Sequence, residues 1–131
     1  MITSRHRQRG ALARDTVSDP LIVVNFKTYQ TAHGAAAEDL ARIMSRIETD
    51  ARLIAAVSAL DLSAVVATAP DLEVWCQHLD PVGFCSNTGW LHPATATDRG
   101  ASGTLINHAE HKVSIEPVSY THLTLPTICS V

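Results

Sequence analysis

Apolar residues along the chain fall into two kinds of run. Leu21-Ile22-Val23-Val24 is unbroken and largely β-branched, which suits a strand covered on both faces, as in a parallel sheet. It ends abruptly in Asn25, Phe26 and Lys27. After the turn residues Thr31 to Gly34, Ala37, Leu40, Ala41, Met44 and Ile47 form one apolar helical face, with Glu38, Asp39, Arg42, Arg46 and Glu48 largely opposite. Leu53 to Leu60 is a second short apolar run. Asp61 then stands as N-cap of a brief helix from Leu62 to about Ala69, which Pro70 stops. Leu72 to His78, centred on Val74, Trp75 and Cys76, predicts a third strand.

Leu79 to Trp90 is too rich in Pro, Gly, Ser and Asn for a regular element and predicts a long structured loop. A short helix begins at Pro93 with Gly100 just past its end. Ala101 to Asn107 predicts a fourth strand that delivers His108 and Glu110 at its carboxyl end. The order is β-α-β-α-β-α-β, with connections that force parallel strands and right-handed crossovers. That means an α/β fold. A doubly wound sheet and a closed (β/α)8 barrel both fit four such units.

Composition narrows the class. The 131 residues are 46% apolar and 18% charged, in the range of one globular domain, and the net charge of -3 is scattered. No nucleic-acid footprint is visible, and no apolar run is long enough to cross a membrane. Cys76, Cys85 and Cys129 form no disulfide or CxxC framework, which points to a reducing cytoplasm. Residues 1–19 read as a flexible N-terminal extension without a secretory signal.

The chemistry sits at strand ends. Asn25 and Lys27 are two apart, so on an extended chain they project to the same side, where an ammonium and an amide could meet a phosphate or an oxyanion. His108 and His78 also read as ordinary strand-end histidines. Cys76, His78, Cys85 and His92 cluster densely enough for a Cys/His zinc-binding module to be a competing reading, although their spacing fits neither a knuckle nor a finger.

Two stretches together are more specific. Val23-Val24-Asn25-Phe26-Lys27-Thr28-Tyr29 and Gly103-Thr104-Leu105-Ile106-Asn107-His108-Ala109-Glu110-His111-Lys112 resemble the first and fourth strand ends of the archaeal-type triosephosphate isomerases. Gln77-His78-Leu79-Asp80-Pro81-Val82-Gly83 and Thr88-Gly89-Trp90 resemble that family's third strand end and third loop. The resemblance covers about Pro20 to Ile115. It implies the N-terminal half of a parallel (β/α)8 TIM barrel, about four βα units, and interconversion of dihydroxyacetone phosphate and glyceraldehyde 3-phosphate in glycolysis and gluconeogenesis. It implies a small phosphorylated triose as substrate, no metal or organic cofactor, no nucleic-acid or membrane partner, and a homodimer or tetramer at full length.

On the same basis, Lys27 matches the lysine beside the substrate, Asn25 the asparagine that helps hold it, and His108 the histidine that polarises the substrate carbonyl. Glu110 matches a supporting glutamate behind that histidine, and Thr88 a loop tip that reaches the neighbouring subunit. Ala109 departs from the usual serine, and Phe84-Cys85-Ser86-Asn87 replaces a more compact loop.

A full barrel takes about 250 residues, and the family's glutamate base, lid and main phosphate loops belong to later strands. The expectation is therefore a truncated domain, residues 20–116, with an open apolar inner layer, unpaired first and fourth strands and no turnover of its own. A non-catalytic phosphosugar-binding fragment is the alternative reading. Val118-Ser119-Tyr120-Thr121-His122-Leu123 reads as a translated sequencing-library adapter, so residues 117–131 are expected to be a non-native tail.

Overall fold

In the computed structural model, strand β1, Leu21–Asn25, forms the edge of an all-parallel sheet ordered β1-β2-β3-β4-β5. The structure describes residues 20–112 and the backbone of a strand at 127–129. The other strands are β2, Arg52–Val57, β3, Glu73–Cys76, β4, Thr104–Ile106, and β5, Thr127–Cys129. Helices α1, Ala35–Met44, α2, Leu62–Thr68, and α3, Pro93–Asp98, fill the connections between the first four strands, and a 3-10 turn at Gln30–Ala32 precedes α1. The first four parallel strands curl into a half-barrel, part of a TIM barrel.

Side chains alternate across the sheet as its pleat requires. Ala55 and Val57 of β2, with Val74 and Cys76 of β3, face the helices and join Ala37, Ala41 and Met44 of α1 and Leu62 and Val65 of α2 in the larger core. Thr68 Oγ1 donates to Glu38 Oε2 at 3.0 Å and ties α2 to α1. The opposite face carries Ile54, Ala56, Trp75 and Leu105, with Val23 against them.

This inner layer departs from expectation. It is covered: Ile54 and Ala56 are fully buried, Trp75 is 2% exposed and Leu105 7%. The indole of Trp75 is the main filler. Its Nε1 donates to Glu73 Oε1 at 3.0 Å, and its ring lies so close to Gly103 that a Cβ there would sit 2.3 Å from Trp75 Cε2. Only glycine admits that approach. Nor is β4 an unpaired edge, since Thr104, Leu105 and Ile106 pair in parallel with Thr127, Ile128 and Cys129. β1 is an edge strand, with Leu21 and Ile22 about half exposed.

Element ends differ in detail. α1 ends at Met44, where Ser45 Oγ donates to the Arg42 carbonyl at 2.9 Å and satisfies one of the terminal acceptors, and Ile47, beyond the helix, is 53% exposed. β2 ends at Val57 rather than Leu60, which is 95% exposed. Asp61 holds the N-cap position of α2 but makes no capping bond; its Oδ1 accepts from the backbone N–H of Gly34 instead. The expected extension, residues 1–19, lies outside the described residues. So does the expected tail at 117–131, apart from the backbone of β5.

Candidate active site

Strand register brings the ends of β1, β3 and β4 to one rim. Asn25 pairs with Ala56, Ala56 with Trp75, and Cys76 with Thr104. Residues two beyond Asn25 and Trp75, namely Lys27 and Gln77, therefore rise on the same inner side. A cavity of about 370 Å³ opens there, and Asn25, Lys27, Gln77, His78, His108 and Glu110 are among the residues lining it.

The first strand end is an Asx turn. Asn25 Oδ1 accepts the backbone N–H of Lys27 at 2.9 Å, and Lys27 takes a left-handed conformation with φ of 51°. A lysine in that region is uncommon and must be held by its surroundings. Gln77 holds it: its Nε2 lies 3.2 Å from Asn25 Oδ1, 3.0 Å from the Lys27 carbonyl and 3.3 Å from the Ala56 carbonyl. Asn25 thus fixes the lysine through its backbone, not its ammonium. Gln77 was given no role from sequence. The available signal was its place two residues after Trp75, on the inward side of β3.

The lysine's charge is met from the fourth strand end. Lys27 Nζ donates to Glu110 Oε1 at 2.8 Å. That bond raises the Lys27 ammonium above its ordinary value and holds the Glu110 carboxyl below its own. His108 completes the group: its Nδ1 lies 3.5 Å from Glu110 Oε2 and 3.4 Å from the Glu110 backbone N–H. A turn in which the His111 N–H donates to the His108 carbonyl at 2.9 Å sets the spacing. Lys27 and His108, 81 positions apart in the chain by their numbering, thereby both lie within 3.5 Å of one carboxylate.

His78 is engaged at the rim. Its Nε2 is 3.0 Å from Asp80 Oδ1, and its ring stacks on His111 with centroids 4.0 Å apart. Thr88 is exposed on the long connection between β3 and α3.

The zinc reading of Cys76, His78, Cys85 and His92 finds no such cluster: among the described residues, no group of three or more His, Cys, Asp or Glu side chains is placed to hold a metal ion. Cys76 is buried on the helix side, where burial pushes its thiol pKa up and away from the thiolate a metal needs. Cys85 is exposed, and His92 caps α3 by accepting from the Thr95 N–H. No helix among the described residues is long and apolar enough to cross a membrane.

Residues 20–121 match the family model described as triosephosphate isomerase, and the chain belongs to that family. It is 34% identical over 102 residues to the triosephosphate isomerase of Archaeoglobus fulgidus, covering 76% of this chain and 45% of that protein. It is 36% identical over 99 residues to that of Metallosphaera sedula, covering 74% and 43%. The crystal structure of triosephosphate isomerase from Bartonella henselae superposes with a TM-score of 0.62 at 22% identity, over 71% of this chain and 39% of that one, a likeness of fold. The chain spans less than half the length of the curated relatives it matches.

Proposed function

We propose that this chain carries the electrophilic side of a triosephosphate isomerase site, acting on dihydroxyacetone phosphate and glyceraldehyde 3-phosphate in the cytoplasm. The observation that carries the reading is the Lys27–Glu110–His108 group at one mouth of the half-barrel. In this enzyme class a neutral imidazole polarises the substrate carbonyl while a glutamate removes the proton, a general description of the class and not a result of this structure. The Glu110 carboxylate and its backbone N–H both lie against His108 Nδ1 and position the ring, leaving Nε2 for the substrate. Lys27 is the charge that meets the phosphate or the developing enediolate. Asn25 and Gln77 hold its backbone.

Binding without turnover is the reading we favour for the chain as it stands. Among the described residues lining the cavity the only carboxylate is Glu110, and its bond to Lys27 makes it a weak base. In the complete family fold we assign the Thr88 loop to contact between subunits of a homodimer or tetramer. The test is a coupled triose phosphate assay on the purified chain, paired with calorimetric titration of 2-phosphoglycolate. Saturable binding at roughly millimolar Kd with background turnover is expected. Turnover near that of a full-length relative would overturn the non-catalytic reading, and no binding at all would overturn the site.

A further inference from the structure

A second cavity, about 210 Å³, lies on the helix side of the sheet between α2, α3 and the long connection after β3, and it shares no residue with the first. Leu62, Leu79, Leu91 and Ala96 give it apolar walls, and Arg99, at the end of α3, stands on its lining. Arg99 is exposed, and among the described residues its guanidinium, like that of Arg46, makes no ion pair or side-chain hydrogen bond, whereas Arg42 and Arg52 are both ion-paired; of the two without a partner only Arg99 lines a cavity with apolar walls. Among the described residues, the two aspartates nearest in sequence do not engage it. Asp98 does not pair with it, and Asp80 is taken up by His78 and by the Leu91 backbone N–H at 2.7 Å.

A guanidinium with no carboxylate partner among the described residues, beside an apolar hollow, defines a ligand by complementarity. The planar fork matches a carboxylate, which it binds through two parallel bonds. An apolar cavity of roughly 150 Å³ already accepts a benzene ring, so this one has room for a ring or short alkyl body with one carboxylate. We propose that it is a binding site for a small apolar monocarboxylate, with the carboxylate on Arg99 and the apolar body against Leu62, Leu79 and Ala96. The site is independent of the isomerase reading. Trp90, which also lines the cavity, supplies a readout.

The experiment titrates the full chain with benzoate, followed by tryptophan fluorescence and by calorimetry, with benzyl alcohol as the uncharged match. Benzoate is expected to saturate in both, and Arg99→Ala to weaken it about tenfold or more by removing the charge-assisted pair. Arg99→Lys should fall between, keeping the charge and losing the fork. Arg46→Ala, which alters an exposed arginine outside the cavity, should change nothing. Excess 2-phosphoglycolate should not displace benzoate. Absence of saturable binding by both methods, equal affinity for benzyl alcohol, or an unchanged affinity in a folded Arg99→Ala chain would each overturn the proposal.

Discussion

Replacing Gln77 by alanine removes a side chain that reaches both the first strand end and its neighbour. Its Nε2 faces three acceptors, Asn25 Oδ1, the Lys27 carbonyl and the Ala56 carbonyl, and has two protons to share among them. Asn25 Oδ1 keeps the Lys27 N–H as a donor and the Ala56 carbonyl keeps the Phe26 N–H, each at 2.9 Å, so the acceptor left short is the partly buried Lys27 carbonyl. At about 1 kcal/mol per net hydrogen bond, and more where a buried acceptor is stranded, the loss amounts to about 1–2 kcal/mol of folding stability. A second consequence concerns Lys27. Its left-handed backbone is roughly 1–2 kcal/mol above the ordinary regions, and without Gln77 only the Asx turn and the ammonium's bond to Glu110 oppose its relaxation. The ammonium would then be less firmly placed over the cavity, held from Glu110 alone. Urea unfolding followed by circular dichroism should show the midpoint fall at unchanged slope, and 2-phosphoglycolate affinity should drop about three- to tenfold, in line with roughly 1 kcal/mol of lost preorganisation. Gln77→Glu keeps the shape but replaces the donor with an acceptor facing acceptors, and should be the more damaging. An alanine variant as stable and as avid as the parent would refute this account of how Lys27 is held.

Three further predictions concern other parts of the frame. Trp75→Ala empties the inner layer and should cost about 3–5 kcal/mol, with dye binding to the exposed face; a loss under 1 kcal/mol in the same urea experiment would show that Trp75 is not the filler. Glu110, with its pKa lowered, contributes stability that is present above the ordinary carboxylate range and lost as pH falls through its folded value, while Lys27, raised, contributes stability present below the ordinary lysine value and lost as pH rises through its own. The pair is thus flat across neutrality, and in Lys27→Met the Glu110 carboxyl midpoint, read by carbon NMR, should rise; an unmoved midpoint contradicts the pairing. Ile22→Lys on the exposed edge strand should reduce self-association in sedimentation velocity, because edge lysines block strand addition; unchanged sedimentation argues against edge pairing.

Much of this architecture was legible because it is local. The β-branched run Leu21 to Val24 reads as a parallel strand and forms one, although at the sheet edge and half exposed rather than covered on both faces, and Pro93 and Gly100 bracket a helix that begins and ends there. At Gly100 the φ of 98° takes the chain out of α3 in a conformation that suits glycine. What was not legible depends on partners distant in sequence. Trp75 reads as a strand residue, but its part in covering the inner layer rests on Gly103, after a whole helical connection. Gln77 sits inside a recognisable stretch, yet its task is set by carbonyls on β1 and β2. Asp61 carries a capping residue's chemistry and spends it on Gly34. Pattern paired Asn25 with Lys27 and put His108 and Glu110 at another strand end; the family resemblance grouped the four, and neither showed that Glu110 would bridge to Lys27.

The central claim is that Lys27 and His108 work over the same small phosphorylated ligand. Nitrogen NMR on the labelled chain, following the Lys27 backbone amide and the His108 imidazole during one 2-phosphoglycolate titration, addresses it without need of turnover. Both signals are predicted to move with a single shared midpoint. If one stays still while the other saturates, or if their midpoints differ, the two residues do not share a ligand and the site as described here is wrong.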